Sequence, residues 1–225
     1  MSRFAQYSLE ISSILAQTMK KLLLLLCLFL SYGGLYAQTS ADIFYNHAQE
    51  RLQNGDTLGA LADFSQAVVQ RPEFPEALNA CGVLLFLNGN YQAALNTFNQ
   101  ALLLSPQNAK MYFNRGVARA QLDQKEAALS DYNKAIKLKP DFAEAYFSRG
   151  IVKGDMGNLK GEVKDYTKAI ELKENYTDAY FNRSLAYFDL EKGEEAIADY
   201  SKAASLNAGA TFLAKGSASS QLTIP

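Results

Sequence analysis

The chain has 225 residues, with 22 Lys and Arg against 23 Asp and Glu and a formal net charge of −1 at neutral pH. That balance gives no electrostatic footprint for nucleic acid. Two cysteines cannot build a disulfide framework, and 48% hydrophobic residues suffice for a sizeable packed domain.

In chain order, the first feature is Lys20-Lys21 followed by the apolar run Leu22 to Leu30, with a small residue, Ala37, before Gln38. This reads as a secretory signal peptide, and residues 1–37 are expected to be an N-terminal extension and signal, starting at Met19 and cleaved after Ala37. The 16 mainly apolar residues up to Ala37 are interrupted by Gly33-Gly34 and are short for a membrane span. A short, uncut membrane anchor is the alternative. A lipoprotein reading through Cys27 is poor, because Leu26 precedes it where a small residue is expected. The expected location is therefore the periplasm or the cell exterior. Removing residues 1–37 takes away Arg3, Lys20, Lys21 and Glu10 and leaves 19 basic and 22 acidic residues. Only Cys81 then remains, so no intramolecular disulfide can form.

Residues 41–210 divide into five gapless blocks of 34: 41–74, 75–108, 109–142, 143–176 and 177–210. Counted from the start of each block, position 27 is always alanine: Ala67, Ala101, Ala135, Ala169 and Ala203. Position 24 is a large aromatic (Phe64, Phe98, Tyr132, Tyr166, Tyr200), and position 4 is large (Phe44, Leu78, Tyr112, Tyr146, Tyr180). Position 8 is small (Ala48, Gly82, Gly116, Gly150, Ser184), position 20 is alanine in four blocks, and Pro72, Pro106 and Pro140 stand at position 32. These columns resemble the tetratricopeptide repeat. The resemblance covers 170 residues. It implies an all-α, right-handed solenoid over residues 38–210, with two antiparallel helices per block at about positions 1–14 and 17–30, each roughly 20 Å long. Turn residues at positions 14–16, as in Asn54-Gly55-Asp56, Asn88-Gly89-Asn90 and Met156-Gly157-Asn158, fit a hairpin there.

Blocks one and two hold Arg51 and Arg71 against six acidic residues, whereas blocks three to five balance sixteen against sixteen. In blocks three to five, position 7 is Arg115, Arg149 and Arg183, and position 23 is Asp131, Asp165 and Asp199. In a hairpin that turns near positions 15–16, positions summing to about 30 face each other. A salt bridge within each of these three repeats is expected, with His47 and Asp63 as a weaker version in block one. A pairing with the preceding repeat fits worse, because Arg115 would then face Thr97; an arginine row for an acidic ligand is the functional alternative. Block four departs from the pattern with Lys153 at position 11 and Glu162 at position 20, which the same rule pairs with each other. Gly154, Gly157 and Gly161 make this block the expected soft joint.

The sequence offers little catalytic chemistry. The one histidine, His47, occupies a packing position, and HExxH, CxxC, P-loop and GxSxG motifs do not occur. The Asn175-Tyr176-Thr177 sequon would matter only in a glycosylating secretory pathway. No enzyme, cofactor or metal site is expected. The resemblance implies instead a concave groove lined by the first helices, carried over by column to Tyr45, Asn79, Phe113, Phe147 and Phe181 at position 5, and to Gln49, Val83, Val117, Ile151 and Leu185 at position 9. Phe86 and Phe188 at position 12 complete it. The competing reading packs this ladder between repeats. The carboxylate clamp of the chaperone-binding subfamily is not supported, since no block has Lys at position 5 or Asn at position 9. The expected partner is a protein or peptide with apolar side chains and basic flanks, not nucleic acid.

Residues 211–225 form a Gly/Ser-rich tail after Phe212 and Leu213. Solenoids need a polar cap over the last apolar face. Either the tail folds back through Phe212 and Leu213, or the last repeat offers its face to a partner or a second copy. A structural subunit of a membrane-associated complex, or a homo-oligomer assembled through that end, is the rival to the binding module.

Overall fold

The computed structural model describes residues 19–23 and 39–206. The expectations about the rest of the leader, its cleavage site and the C-terminal tail lie outside the described residues. Residues 19–23 are helical and exposed, and no described helix is long and apolar enough to cross a membrane.

Residues 39–206 form an all-α solenoid of antiparallel helix pairs. The first helices are α1 (39–53), α3 (Pro75–Leu87), α5 (Ala109–Gln121), α7 (Ala143–Asp155) and α9 (Thr177–Asp189). The second helices are α2 (Thr57–Gln70), α4 (Tyr91–Leu104), α6 (Lys125–Leu138), α8 (Leu159–Leu172) and α10 (Gly193–Leu206), the bounds that the 34-residue columns imply. All five first helices stop one residue early, at position 13. The cause is local: position 15 turns left-handed in every repeat, with φ of 79° at Gly55, 80° at Gly89 and 77° at Gly157. Asp123 and Glu191 adopt the same turn at φ 57° and 59°, where a Cβ costs energy that glycine avoids. Side-chain caps start α2 and α8, where Asp56 accepts from the Gly59 amide at 2.9 Å and Asn158 from the Gly161 amide at 3.0 Å.

Within each hairpin, position 8 must be small because the position 24 ring lies on it. A Cβ added at Gly116 would stand 2.7 Å from the Tyr132 ring, and one at Gly150 the same distance from Tyr166. Ala60, Ala94 and Ala128 at position 20 are fully buried on the facing helix. Close helix approach and full burial of the position 24 rings are thus one arrangement in the first four repeats, where Phe64, Phe98, Tyr132 and Tyr166 are buried.

Candidate functional site

The position 5 aromatics are packing elements. Phe113 and Phe147 are fully buried, and each lies between two rings. Phe113 meets Tyr132 at 5.9 Å and Phe142 at 4.9 Å; Phe147 meets Tyr166 at 5.5 Å and Tyr176 at 5.0 Å. Tyr45 repeats the pattern with Phe64 at 5.2 Å and Phe74 at 4.9 Å. The second ring in each case is position 34, the residue before the next repeat's first helix, and a cation at position 31 covers it. Arg71 lies 3.5 Å from the Phe74 ring centre, Lys139 4.9 Å from Phe142, and Lys173 4.6 Å from Tyr176.

The expected groove is corrected accordingly. Asn79, Val83, Phe86, Phe113, Val117 and Phe147 are buried, Tyr45, Gln49, Ile151 and Phe181 are half-buried, and only Leu185 and Phe188 are exposed. The reason is the stacking itself, because the next repeat lies over positions 5, 9 and 12 of the interior repeats. Asn79 is held inside by the Asn114 side-chain amide, which donates to its Oδ1 at 3.0 Å. What the first helices show to solvent is a polar row. Positions 2 and 13 are 11 residues apart, close to three full turns, and so share a face. Position 2 gives Glu76, Lys110, Glu144 and Asp178, with Asp42 tied to Arg71 at 2.9 Å; position 13 gives Gln53, Leu87, Gln121, Asp155 and Asp189.

Positions 7 and 23 carry a buried charge network. Arg115 Nε and Nη2 donate to both carboxylate oxygens of Asp131 at 2.9 and 2.7 Å, Arg149 grips Asp165 at 2.8 and 2.7 Å, and Arg183 grips Asp199 at 2.6 and 2.8 Å. His47 Nδ1 stands 2.8 Å from Asp63. Two partners lie outside the facing rule. The free arm of each arginine crosses to position 25 of the preceding repeat: Arg115 to Asn99 at 3.0 Å, Arg149 to Asn133 at 2.6 Å, Arg183 to Thr167 at 2.9 Å. In the second repeat, Cys81 at position 7 meets Ser65 at position 25 by sulfur contact at 3.9 Å, and burial pushes its thiol up to about 11. The other partner is a second cation at position 11: Arg51 on Asp63 at 3.1 Å, Arg119 on Asp131 and Lys153 on Asp165, both at 2.7 Å. Position 11 follows position 7 by one helical turn, so the basic residues in that column are the signal that reveals it.

The expected Lys153–Glu162 pair is replaced by two separate contacts. Lys153 goes to Asp165, and buried Glu162 receives the Tyr166 hydroxyl at 3.1 Å. Glu162 has room because position 12 is glycine here: a Cβ on Gly154 would lie 2.5 Å from its carboxyl carbon. Burial first, then the neighbouring Glu162, pushes the Tyr166 phenol far above its usual range; burial and Asp131 do the same to Tyr132. Among the described residues, no cluster of three or more His, Cys, Asp or Glu is placed to hold a metal ion.

Stacked helix hairpins with a sealed interior and a chemically varied outer row define a repeat scaffold for protein interaction. Tetratricopeptide-repeat profiles match residues 45–109, 82–145, 143–176 and 177–209, and the chain belongs to the tetratricopeptide-repeat family. A crystal structure of MamA protein is similar at 25% identity, covering 75% of this chain and 92% of that one, with a TM-score of 0.66. A Pseudomonas aeruginosa PilF structure has a TM-score of 0.70 at 18% identity, covering 78% and 79% of the two chains. YrrB, described as a TPR protein with an unusual peptide-binding site, has a TM-score of 0.60 at 22% identity, covering 73% and 85%. Comparison with curated proteins gave no match.

Proposed function

We propose that this chain is a non-enzymatic, exported binding module whose first-helix face holds a basic segment of a protein partner. The observation that carries the reading is the row at positions 2 and 13, where Glu76, Glu144, Asp155, Asp178 and Asp189 reach solvent and Lys110 is the one cation of the row. Leu87, Leu185 and Phe188 add exposed apolar contacts along the same helices, 56%, 36% and 73% accessible. Acidic rows with apolar anchors fit a peptide that alternates lysine or arginine with apolar side chains, and charge complementarity sets its register. Peptide binding by the related YrrB fold supports the ligand class. The apolar character expected of the groove is thus moved to a few edge residues, and the basic character of the partner becomes the main term.

The test is fluorescence anisotropy with labelled synthetic peptides of matched apolar content, one set basic and one acidic, on the wild type and on an Asp155→Lys, Asp178→Lys, Asp189→Lys variant. The expected result is preferential, salt-sensitive binding of basic peptides, weakened about tenfold or more by the charge reversal. Equal affinity for both peptide sets would overturn the reading. Assembly into a membrane-associated complex or homo-oligomer through the fifth repeat is the second reading, favoured by the half-exposed ring of Tyr200.

A further inference from the structure

Positions 18, 22 and 26 stand one turn apart on each second helix and form a single stripe. In α8 that stripe is Lys160, Lys164 and Lys168. No other second helix carries such a charge there. In α4 the same positions are Gln92, Asn96 and Gln100, in α6 and α10 a glutamate at position 18 balances the lysine at position 26, and α2 has no cation in the stripe. Like charges one turn apart destabilise a helix. Among the described residues, Lys168 alone of the three meets a carboxylate, Glu171 at 2.8 Å, an exposed pair of little weight. The fourth repeat thus holds uncompensated positive charge over about 12 Å of helix.

The buried face of α8, which includes Glu162, Asp165, Tyr166 and Ala169, is turned to α7, and the lysine stripe lies about half a turn away from it. Beside the stripe is a cleft of about 460 Å³ between α7 and α8, lined by Tyr146, Arg149, Lys164, Thr167 and Lys168. Arg149 is spent on Asp165 and Asn133, which leaves the two lysines as its cations toward solvent. Positions 2 and 13 lie close to half a turn from position 4, whose Tyr146 lines this cleft, so the acidic row opens on the other side of the helix pairs. Cation and carboxylate rows are sorted to opposite sides of a chain whose formal net charge is only −1.

We infer that the lysine stripe of α8 docks on the acidic row of a second copy of this chain, with Lys160, Lys164 and Lys168 of one copy facing Asp155 on α7 and Asp178 and Asp189 on α9 of the other. The inference rests on the acidic row of the proposed binding face and names what fills it. Spacing agrees, since Asp178 and Asp189 are roughly 16 Å apart along α9 and the stripe spans about 12 Å before its long side chains spread. Near-zero net charge leaves little repulsion between copies, and complementary rows set their orientation. The contact is front to back, so each copy keeps one unused row of either sign and copies add in chains rather than closing as a pair.

The test is sedimentation velocity of the full chain at low and high salt, on the wild type, on Lys160→Glu, Lys164→Glu, Lys168→Glu, and on Asp155→Lys, Asp178→Lys, Asp189→Lys, with far-UV circular dichroism of each. The wild type is expected to associate with rising concentration at low salt and to separate at high salt. Each variant alone should associate about tenfold or more weakly, and an equimolar mixture of the two should recover association to within about threefold of the wild type, because each reversed row then meets an opposite one. A wild type that stays monomeric at low salt overturns the inference, as does association that neither reversal weakens. So does a mixture of two folded variants that fails to recover. Stripe-dependent co-sedimentation of a monomeric wild type with phosphatidylglycerol vesicles would assign the lysines to a lipid surface instead. If basic peptides bind the acidic row while the chains do not associate, the binding-module reading stands and this inference alone falls.

Discussion

The third and fourth repeats share their columns but differ in how they use charge. In the third, the hairpin interior is apolar, with Ala128 at position 20 opposite Ala120 at position 12, and Asp131 gathers two guanidiniums, Arg115 and Arg119. In the fourth, Asp165 gathers Arg149 and Lys153, while a second buried carboxylate, Glu162, occupies the space that Gly154 leaves. The backbone accommodates both. The position 7–23 pair is therefore a framework that tolerates substitution around it, and the variable element is what fills the hairpin beside it.

The largest effect should come from the shared element. Asp131 and Asp165 each expose only 3% of their side chains and each neutralises two cations, so removal leaves two like charges facing each other. Asp131→Ala and Asp165→Ala are each expected to cost about 3 kcal/mol or more in urea denaturation. The double variant Arg149→Ala, Asp165→Ala should lose less than the sum of its single losses; strict additivity would sink the coupling. A loss below about 1 kcal/mol in either repeat would put these pairs in the class of surface ion pairs instead.

The next effect concerns the difference itself. Gly154→Ala alone drives a Cβ into the Glu162 carboxyl and should destabilise. Gly154→Ala with Glu162→Ala gives the fourth repeat the interior of the third. It removes a buried carboxylate and a helical glycine, and should stabilise by about 1–2 kcal/mol. In the wild type, amides in 150–163 should exchange faster than those in 116–129, and the double variant should narrow the gap. A double variant less stable than wild type would show that Glu162 strengthens its repeat.

The same comparison shows what the sequence made legible. Helix bounds followed from the columns because stacking repeats one geometry five times, and the facing rule placed Arg115, Arg149 and Arg183 opposite their aspartates. The rule misdirected Lys153 because it treats the two helices as a flat ladder. On a real helix Lys153 lies one turn beyond Arg149, on the face that already holds Asp165. The aromatic groove misled for a related reason. A column shows that Phe113 and Phe147 are alike, but not that Phe142 and Tyr176, written at the end of the same block, fold back onto them. Burial by a neighbouring repeat is a long-range fact, while helix formation is a local one.

The smallest effect sharpens the comparison at the turns. Gly157 in the fourth repeat has φ 77°, and Asp123 takes the same left-handed turn in the third at φ 57°, as Glu191 does in the fifth at φ 59°. A Cβ in this region costs roughly 1–2 kcal/mol, and glycine returns part of that gain through its greater freedom in the unfolded chain. Asp123 also meets Lys125 at 3.2 Å, an exposed pair of little weight. Asp123→Gly and Glu191→Gly should therefore each stabilise by about 0.5–1 kcal/mol, and Gly157→Asp should destabilise by a similar amount, all read as shifts of the urea midpoint at constant slope. Asp123→Gly acts on the turn between the two helices of the third repeat and should slow exchange in both 116–121 and 125–138. If Asp123→Gly destabilises while Gly157→Asp also does, the third repeat holds its aspartate through contacts beyond backbone conformation, and the two turns cease to be equivalent.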